Sequence, residues 1–165
     1  MKQSAGILVY RRQGKKVQVL LAHAGGPFWA KKDKGAWTIP KGECTGDETP
    51  EAAARREFAE EIGQPAPAGT LHDLGTIKRK DGKVIYAFAV EGDMDVAQTH
   101  SNTFEMEWPP KSGQIQSFPE IDRAVWTDMS QAPDKMHSGQ RVFIERLTEQ
   151  LGVKLPKAPE QASLF

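Results

Sequence analysis

The chain has 165 residues, 38% hydrophobic and 27% charged, with 22 basic side chains against 22 acidic ones. That size and composition fit one globular domain with a real core and exclude a chain disordered throughout. The balanced charge excludes a nucleic-acid coat or a polyanionic tail, both of which need a large field of one sign, so nucleic acid is not an expected partner.

Apolar runs such as Gly6–Tyr10 and Tyr86–Val90 are far too short to cross a bilayer, so no membrane partner is expected. The residues after Met1 lack the long apolar stretch and small-residue cleavage site of a signal peptide. Cys44 is the only cysteine, which leaves no internal disulfide, and a cytoplasmic protein, monomer or homodimer, is expected. Its acidic neighbours Glu43, Asp47 and Glu48 disfavour a reactive thiolate.

In chain order, Ser4–Tyr10 and Val17–His23 are apolar segments around a polar, glycine-containing break, the pattern of a hairpin. Ala24–Gly35 holds Gly25-Gly26-Pro27 and three lysines and is expected to be irregular. Trp37–Pro40 reads as a brief strand closed by proline. Thr49 is placed to cap a helix with Pro50 at its first position, Ala52-Ala53-Ala54 in its first turns, and Gly63 and Pro65 at its end. Leu71–Lys80 and Val84–Glu91 flank Asp81-Gly82, a strong hairpin signal. Thr103–Trp108 and Ala124–Trp126 add candidate strands. Ser138 is placed to cap a second helix running to Leu151, with Val142, Phe143, Leu147 and Leu151 as its apolar stripe. Val153–Phe165 is expected to be a loose tail. Strands around two helices indicate a mixed α/β sandwich.

The stretch Gly42–Gly63 carries the chemistry. Glu57, Glu60 and Glu61 stand at i, i+3 and i+4, so three carboxylates leave one helix face, while Ala54, Phe58 and Ile62 lie toward another. A face of like charges can simply be solvated, with intrahelical ion pairs worth about 0.2–0.5 kcal/mol each. Glu57 and Glu61 instead repel at i, i+4, with only Arg55 and Arg56 near enough along the helix to offset them. Crowded hard oxygens of this kind suit a divalent cation.

Gly42, five residues, Glu48, seven residues, then Arg56-Glu57-Phe58-Ala59-Glu60-Glu61-Ile62-Gly63 resembles the Nudix box, G-x5-E-x7-R-E-U-x-E-E-x-G-U. Only the final aliphatic position departs, being Gln64. The lead-in Trp37–Glu43 also resembles that family, and the likeness extends over about Ser4 to Leu151. It implies an α/β/α sandwich with a mixed sheet, an α/β Nudix domain over 1–152, and Mg²⁺-dependent hydrolysis of a nucleoside diphosphate-linked compound, with Mn²⁺ a substitute. By the same resemblance Glu57, Glu60 and Glu61, with the Gly42 carbonyl, are metal ligands. Glu48 and Arg56 brace the loop against the helix, with phosphate contact the other role open to Arg56.

Glu57 and Glu60 are candidate general bases. Some relatives use a further glutamate before a late tryptophan-bearing strand, and Glu120, six residues before Trp126, resembles it; Glu105 and Glu107 compete for that role. Lys41 is the candidate phosphate contact. Phe28 and Trp29, among Lys31, Lys32 and Lys34, either stack on a nucleobase or plug the core. The four histidines show no close ligand spacing, which argues against zinc. Ile77–Gly82 has neither the proline of sugar-nucleotide cleavers nor the tyrosine of dinucleoside polyphosphate cleavers, while Lys78-Arg79-Lys80 suits a long phosphate chain. A small-molecule nucleotide, leaning to nucleoside tri- or dinucleoside polyphosphates, is the expected substrate. A non-catalytic nucleotide-binding module is the alternative.

Overall fold

β1 (Gln3–Gln13) turns at Gly14, whose φ of 64° suits glycine, into β2 (Lys16–Ala24), with Tyr10 opposite Val19 and Gln13 opposite Lys16. The computed structural model describes residues 2–153. On the other side of β1 lies β6 (Val84–Glu91), parallel and in register from Gln3 opposite Val84 to Tyr10 opposite Glu91. β5 (His72–Lys78) is antiparallel to β6, and β9 (Ile121–Asp128) is antiparallel to β2. The sheet is therefore mixed.

β1 changes partners along its length. Its end near Gln13 pairs with β2, whereas Ser4–Gly6 pair with β4 (Lys41–Glu43), and β3 (Trp37–Thr38) pairs with β2. The Ile7 N–H donates to the Pro40 carbonyl where the sheet divides. This brings the loop that follows Gly42 against the face of β1. A separate two-stranded hairpin is formed by β7 (Thr103–Glu107) and β8 (Ile115–Pro119).

Helices cover both sheet faces, so β1 and β2 are buried along most of their length and do not alternate between core and solvent. Ala5, Ile7 and Val9 pack with Ala53, Ala54, Phe58 and Ile62 of α1 (Pro50–Ile62). Leu8, Tyr10, Val19 and Leu21 pack on the other face with Phe143, Ile144 and Leu147. The short α2 (Ala132–Lys135) and α3 (Arg141–Leu151) lie on that second face. The result is the expected α/β/α sandwich. The Thr49 hydroxyl accepts the Ala52 N–H, and Gly63 closes α1 with a φ of 79°.

Several elements differ from the sequence reading. Lys41–Glu43 and Ile115–Pro119 are strands, too short and too polar or proline-bounded to show a period, and β9 extends beyond Ala124–Trp126 at both ends. Ser138 does not cap α3: it opens a 3-10 turn, Ser138–Gln140, and the His137 ring accepts the Gly139 N–H in its place. Of the tail 153–165 only Val153 is described, and it packs on the core beneath α3; the remainder lies outside the described residues. Among the described residues no helix is long and apolar enough to cross a membrane.

Phe58 has no exposed surface and joins α1 to β1. Phe58→Ala should cost about 3–5 kcal/mol in chemical denaturation. A loss below about 1 kcal/mol would contradict the packing described.

Candidate functional site

The loop between β4 and α1 is fastened by one side chain. Arg56 donates from Nε to Glu48 Oε2 (2.7 Å) and from Nη2 to Glu48 Oε1 (3.0 Å) and to the Glu43 carbonyl (2.9 Å). Its Nη1 donates to Glu57 Oε1 (2.8 Å) and to Glu60 Oε2 (3.2 Å). All three guanidinium nitrogens are thus engaged, so the bracing role fits Arg56 and phosphate contact does not. Glu48 Oε1 also accepts from the Thr45 N–H and hydroxyl. Gly42 closes the arrangement, because a Cβ there would overlap the Glu57 carboxylate.

The three helix carboxylates sit in unequal surroundings. Glu60 is exposed, whereas Glu57 and Glu61 are half-buried. Burial raises the Glu57 pKa, opposed by Arg56. Burial first, then the Glu120 carboxylate, pushes Glu61 up to about 8; Lys41 opposes the shift, while Glu57 and Glu60 add to it. Glu120 therefore reaches this acidic group from β9's entry loop, and its side chain makes no ion pair or hydrogen bond among the described residues. Glu105 and Glu107 project from the exposed face of β7, and Glu107 accepts the Lys111 N–H.

Among the described residues, no three His, Cys, Asp or Glu side chains form a ready-made metal cage, and Arg56 stands between Glu57 and Glu60 instead. The donor chemistry nevertheless fits a hard divalent cation. The oxygens are carboxylates, they repel one another, and burial with the neighbouring acids raises Glu61 above the usual carboxylate range.

Phe28 and Trp29 do not plug the core. They are 59% and 37% exposed and, with Phe104, Met106 and Glu120, line a cleft of about 450 Å³. Phe28 meets the Trp108 ring edge-on at 5.4 Å, and Lys32 Nζ lies 5.0 Å over Trp29. The loop bearing these rings is fixed at two points. The Gly25 N–H donates to the Glu120 carbonyl (2.9 Å), and a Cβ at Gly25 would overlap Pro119. The fully buried His23 contacts Asp122 Oδ1 through Nδ1 (2.8 Å) and the Lys32 carbonyl through Nε2 (2.6 Å). The sequence offered no sign of this latch beyond an isolated histidine. Phe104 and Met106 alternate with the acids of β7, and nothing in the sequence distinguishes them from ordinary half-buried strand residues.

Lys41 is half-buried, and burial, Lys83 and Arg79 lower its pKa while Glu61 and Glu57 raise it. It therefore stands between the acidic face and a basic one. Burial and the Glu48 charge raise the Cys44 thiol, as its acidic neighbours implied. Gln64, the one departure from the motif, donates to the Asp95 carbonyl (3.0 Å) and so ties the end of α1 by a polar contact.

A family model for the NUDIX domain matches residues 1–147. The chain belongs to the NUDIX domain family. A 54-residue stretch is 46% identical to the RNA pyrophosphohydrolase of Alkalilimnicola ehrlichii, covering 32% of this chain and 29% of that protein. The chain therefore matches well under half the length of that curated relative. Solved structures that share the fold include the following two. One is a Caenorhabditis elegans Ap4A hydrolase binary complex (TM-score 0.61, 20% identity, 92% of this chain and 98% of that one). The other is the NUDIX domain of Shewanella oneidensis NrtR complexed with ADP ribose (TM-score 0.61, 16% identity, 90% and 87%).

Arg56 and the Thr45 N–H lower the Glu48 pKa from its ordinary 4.5 to about 2. Because the folded value is depressed, the contribution to stability is complete above about pH 4.5 and fades as the pH falls toward 2. Urea denaturation should show Glu48→Gln less stable than wild type at pH 7, with the gap narrowing at pH 4 and again at pH 3. A gap independent of pH would contradict the brace.

Proposed function

We propose that the protein is a divalent-metal-dependent hydrolase that cleaves the diphosphate linkage of a nucleotide, with nucleoside tri- and dinucleoside polyphosphates as its substrate class. The observation that carries this reading is the carboxylate face of α1, gathered by Arg56 on Glu57 and Glu60, with Glu120 near enough to Glu61 to raise its pKa. Glu57, Glu60 and Glu61, with the Gly42 carbonyl, would hold Mg²⁺ or Mn²⁺. Such an ion, when bound, offsets phosphate charge and lowers the pKa of water.

The remaining steps belong to side chains. Lys41 attracts the phosphates from beside Gly42 and helps balance the acids of α1. Phe28 and Trp29 hold the nucleobase in the cleft that Glu120 also lines. Stacking of a base on one such ring is worth about 1–3 kcal/mol. Glu120, free of Arg56, is a candidate to take the proton of the attacking water, and Glu57 and Glu60 are the candidates within the helix. The RNA pyrophosphohydrolase match supports phosphoanhydride chemistry for this site.

A nucleotide-binding module without cleavage is the second reading. The ADP ribose complex of the NrtR NUDIX domain supports nucleotide binding on this fold, and the intact acidic set argues for catalysis in this chain.

A panel of nucleotide diphosphate and polyphosphate compounds, incubated with Mg²⁺ or Mn²⁺ and read by product mass, should reveal hydrolysis. Glu60→Gln should reduce turnover about a hundredfold or more while circular dichroism stays unchanged. Undiminished turnover in that variant would sink the assignment, and binding without cleavage under every metal would favour the module. Trp29→Ala should raise KM about tenfold at a similar kcat; an unchanged KM would remove the base from this cleft.

A further inference from the structure

Of the four histidines only His23 is buried; His72, His100 and His137 are exposed. Both ring nitrogens of His23 face oxygen, Nδ1 toward Asp122 Oδ1 at 2.8 Å and Nε2 toward the Lys32 carbonyl at 2.6 Å. A carboxylate and a carbonyl accept hydrogen bonds and do not donate them, so each asks the ring for a hydrogen. A neutral imidazole has one N–H, and its second nitrogen would turn a lone pair on an oxygen in a site with no exposed surface. The geometry therefore fits a ring with hydrogen on both nitrogens, a buried cation answered by Asp122.

The charged groups of the surrounding contacts come from three elements. From β9, Arg123 Nη1 lies 3.8 Å from Asp122 Oδ1, and its guanidinium stands 5.3 Å over the Trp37 ring. Trp37 meets the His23 ring edge-on at 4.9 Å and donates from Nε1 to Asp33 Oδ1 (2.9 Å) in the loop. Lys135 of α2 donates to Asp33 Oδ2 (2.6 Å), and Lys32 turns its own ammonium to Trp29. Of the two partners of the ring, Asp122 is the charged one, so the bond to it is ionic at both ends and outlasts the bond to the Lys32 carbonyl.

That weaker bond governs the aromatic loop. Across residues 26–32, among the described residues, it is the one hydrogen bond to another element. From it a chain of bonds runs to the ring that lines the cleft: the Lys32 N–H donates to the Trp29 carbonyl (2.9 Å), and the Trp29 N–H donates to the Gly26 carbonyl (3.3 Å). Where Trp29 stands thus depends on where the Lys32 carbonyl is held.

We propose that His23 is the positioning residue of the aromatic cleft, holding Trp29 in place only while both of its ring nitrogens carry hydrogen. As the pH rises the ring loses the Nε2 hydrogen to solvent, the Lys32 carbonyl is released, and the loop loosens while Asp122 keeps its bond. The hold on the loop stands on these contacts alone; its consequence for substrate rests on the hydrolase reading above.

Nitrogen-15 NMR of the wild-type protein at pH 7 should show hydrogen on both ring nitrogens of His23, and a single ring hydrogen would overturn the proposal. Trypsin should cut after Lys31, Lys32 or Lys34 about tenfold faster in His23→Gln than in wild type at pH 7, with circular dichroism unchanged, and the ratio should fall toward one at pH 9. A ratio near one at pH 7, or one that does not fall by pH 9, would contradict the latch. Asp122→Asn keeps the shape and removes the charge, so faster cutting should set in at a lower pH than in wild type; an unmoved onset would overturn the proposal even if His23→Gln fails to fold. In steady-state assays at pH 7, His23→Gln should raise KM of the hydrolysed nucleotide about fivefold at a similar kcat, and should add nothing to the KM of Trp29→Ala. A lower kcat at unchanged KM would sever His23 from the cleft. If no nucleotide is hydrolysed, the hydrolase reading fails, while the ring spectrum and the proteolysis still decide the latch.

Discussion

The geometry around the acidic helix depends on the five-donor fork of Arg56. Glu57 and Glu60 stand one turn apart with like charges, and the loop from Glu43 to Glu48 has little apolar surface with which to hold itself. A lysine would supply one point charge, but a planar guanidinium engages Glu48, Glu57, Glu60 and the Glu43 carbonyl together. It thereby fixes a loop, a strand end and a helix face in one arrangement. Gly42 is the complementary constraint, since the Glu57 carboxylate occupies the space a side chain there would need.

The sheet positions this arrangement by splitting. Where β1 passes from β4 to β2, the Gly42 loop is presented to α1 on one face while Lys41 crosses to the other. β9, paired with β2, delivers Glu120 to the same region, and the backbone bond from Gly25 to Glu120 joins the aromatic loop to that delivery. His23 completes the coupling, because its two ring nitrogens reach one residue of that loop and one of β9. The acids of α1 proposed to bind metal, a candidate base and an aromatic cleft are therefore parts of one connected unit.

Much of this was legible in the sequence because it is local. The i, i+3, i+4 carboxylates, the Thr49 cap, the Gly63 stop and the Asp81-Gly82 turn all depend on neighbours within a few residues, and α1 and the β5–β6 hairpin formed as read. The spacing from Glu48 to Arg56 likewise carried the brace. What was not legible depends on long-range placement. Nothing near His23 announces a partner 99 residues away, and nothing in His137–Gln140 says that its ring and amide will line one cleft with Arg79. The short strands β4 and β8 exist because other strands receive them, not because of their own periodicity. The balanced net charge likewise conceals its distribution: residues 43–61 carry −5 and residues 28–41 carry +3.

The central claim is that the carboxylate face of α1 is a divalent-cation site. Titration of Mn²⁺ into the protein, followed by electron paramagnetic resonance, tests it without any substrate. A site formed by Glu57, Glu60 and Glu61 predicts saturable binding in the wild type and at least about tenfold weaker binding in Glu61→Gln, with the fold intact. Equal Mn²⁺ affinity in the two proteins would contradict it.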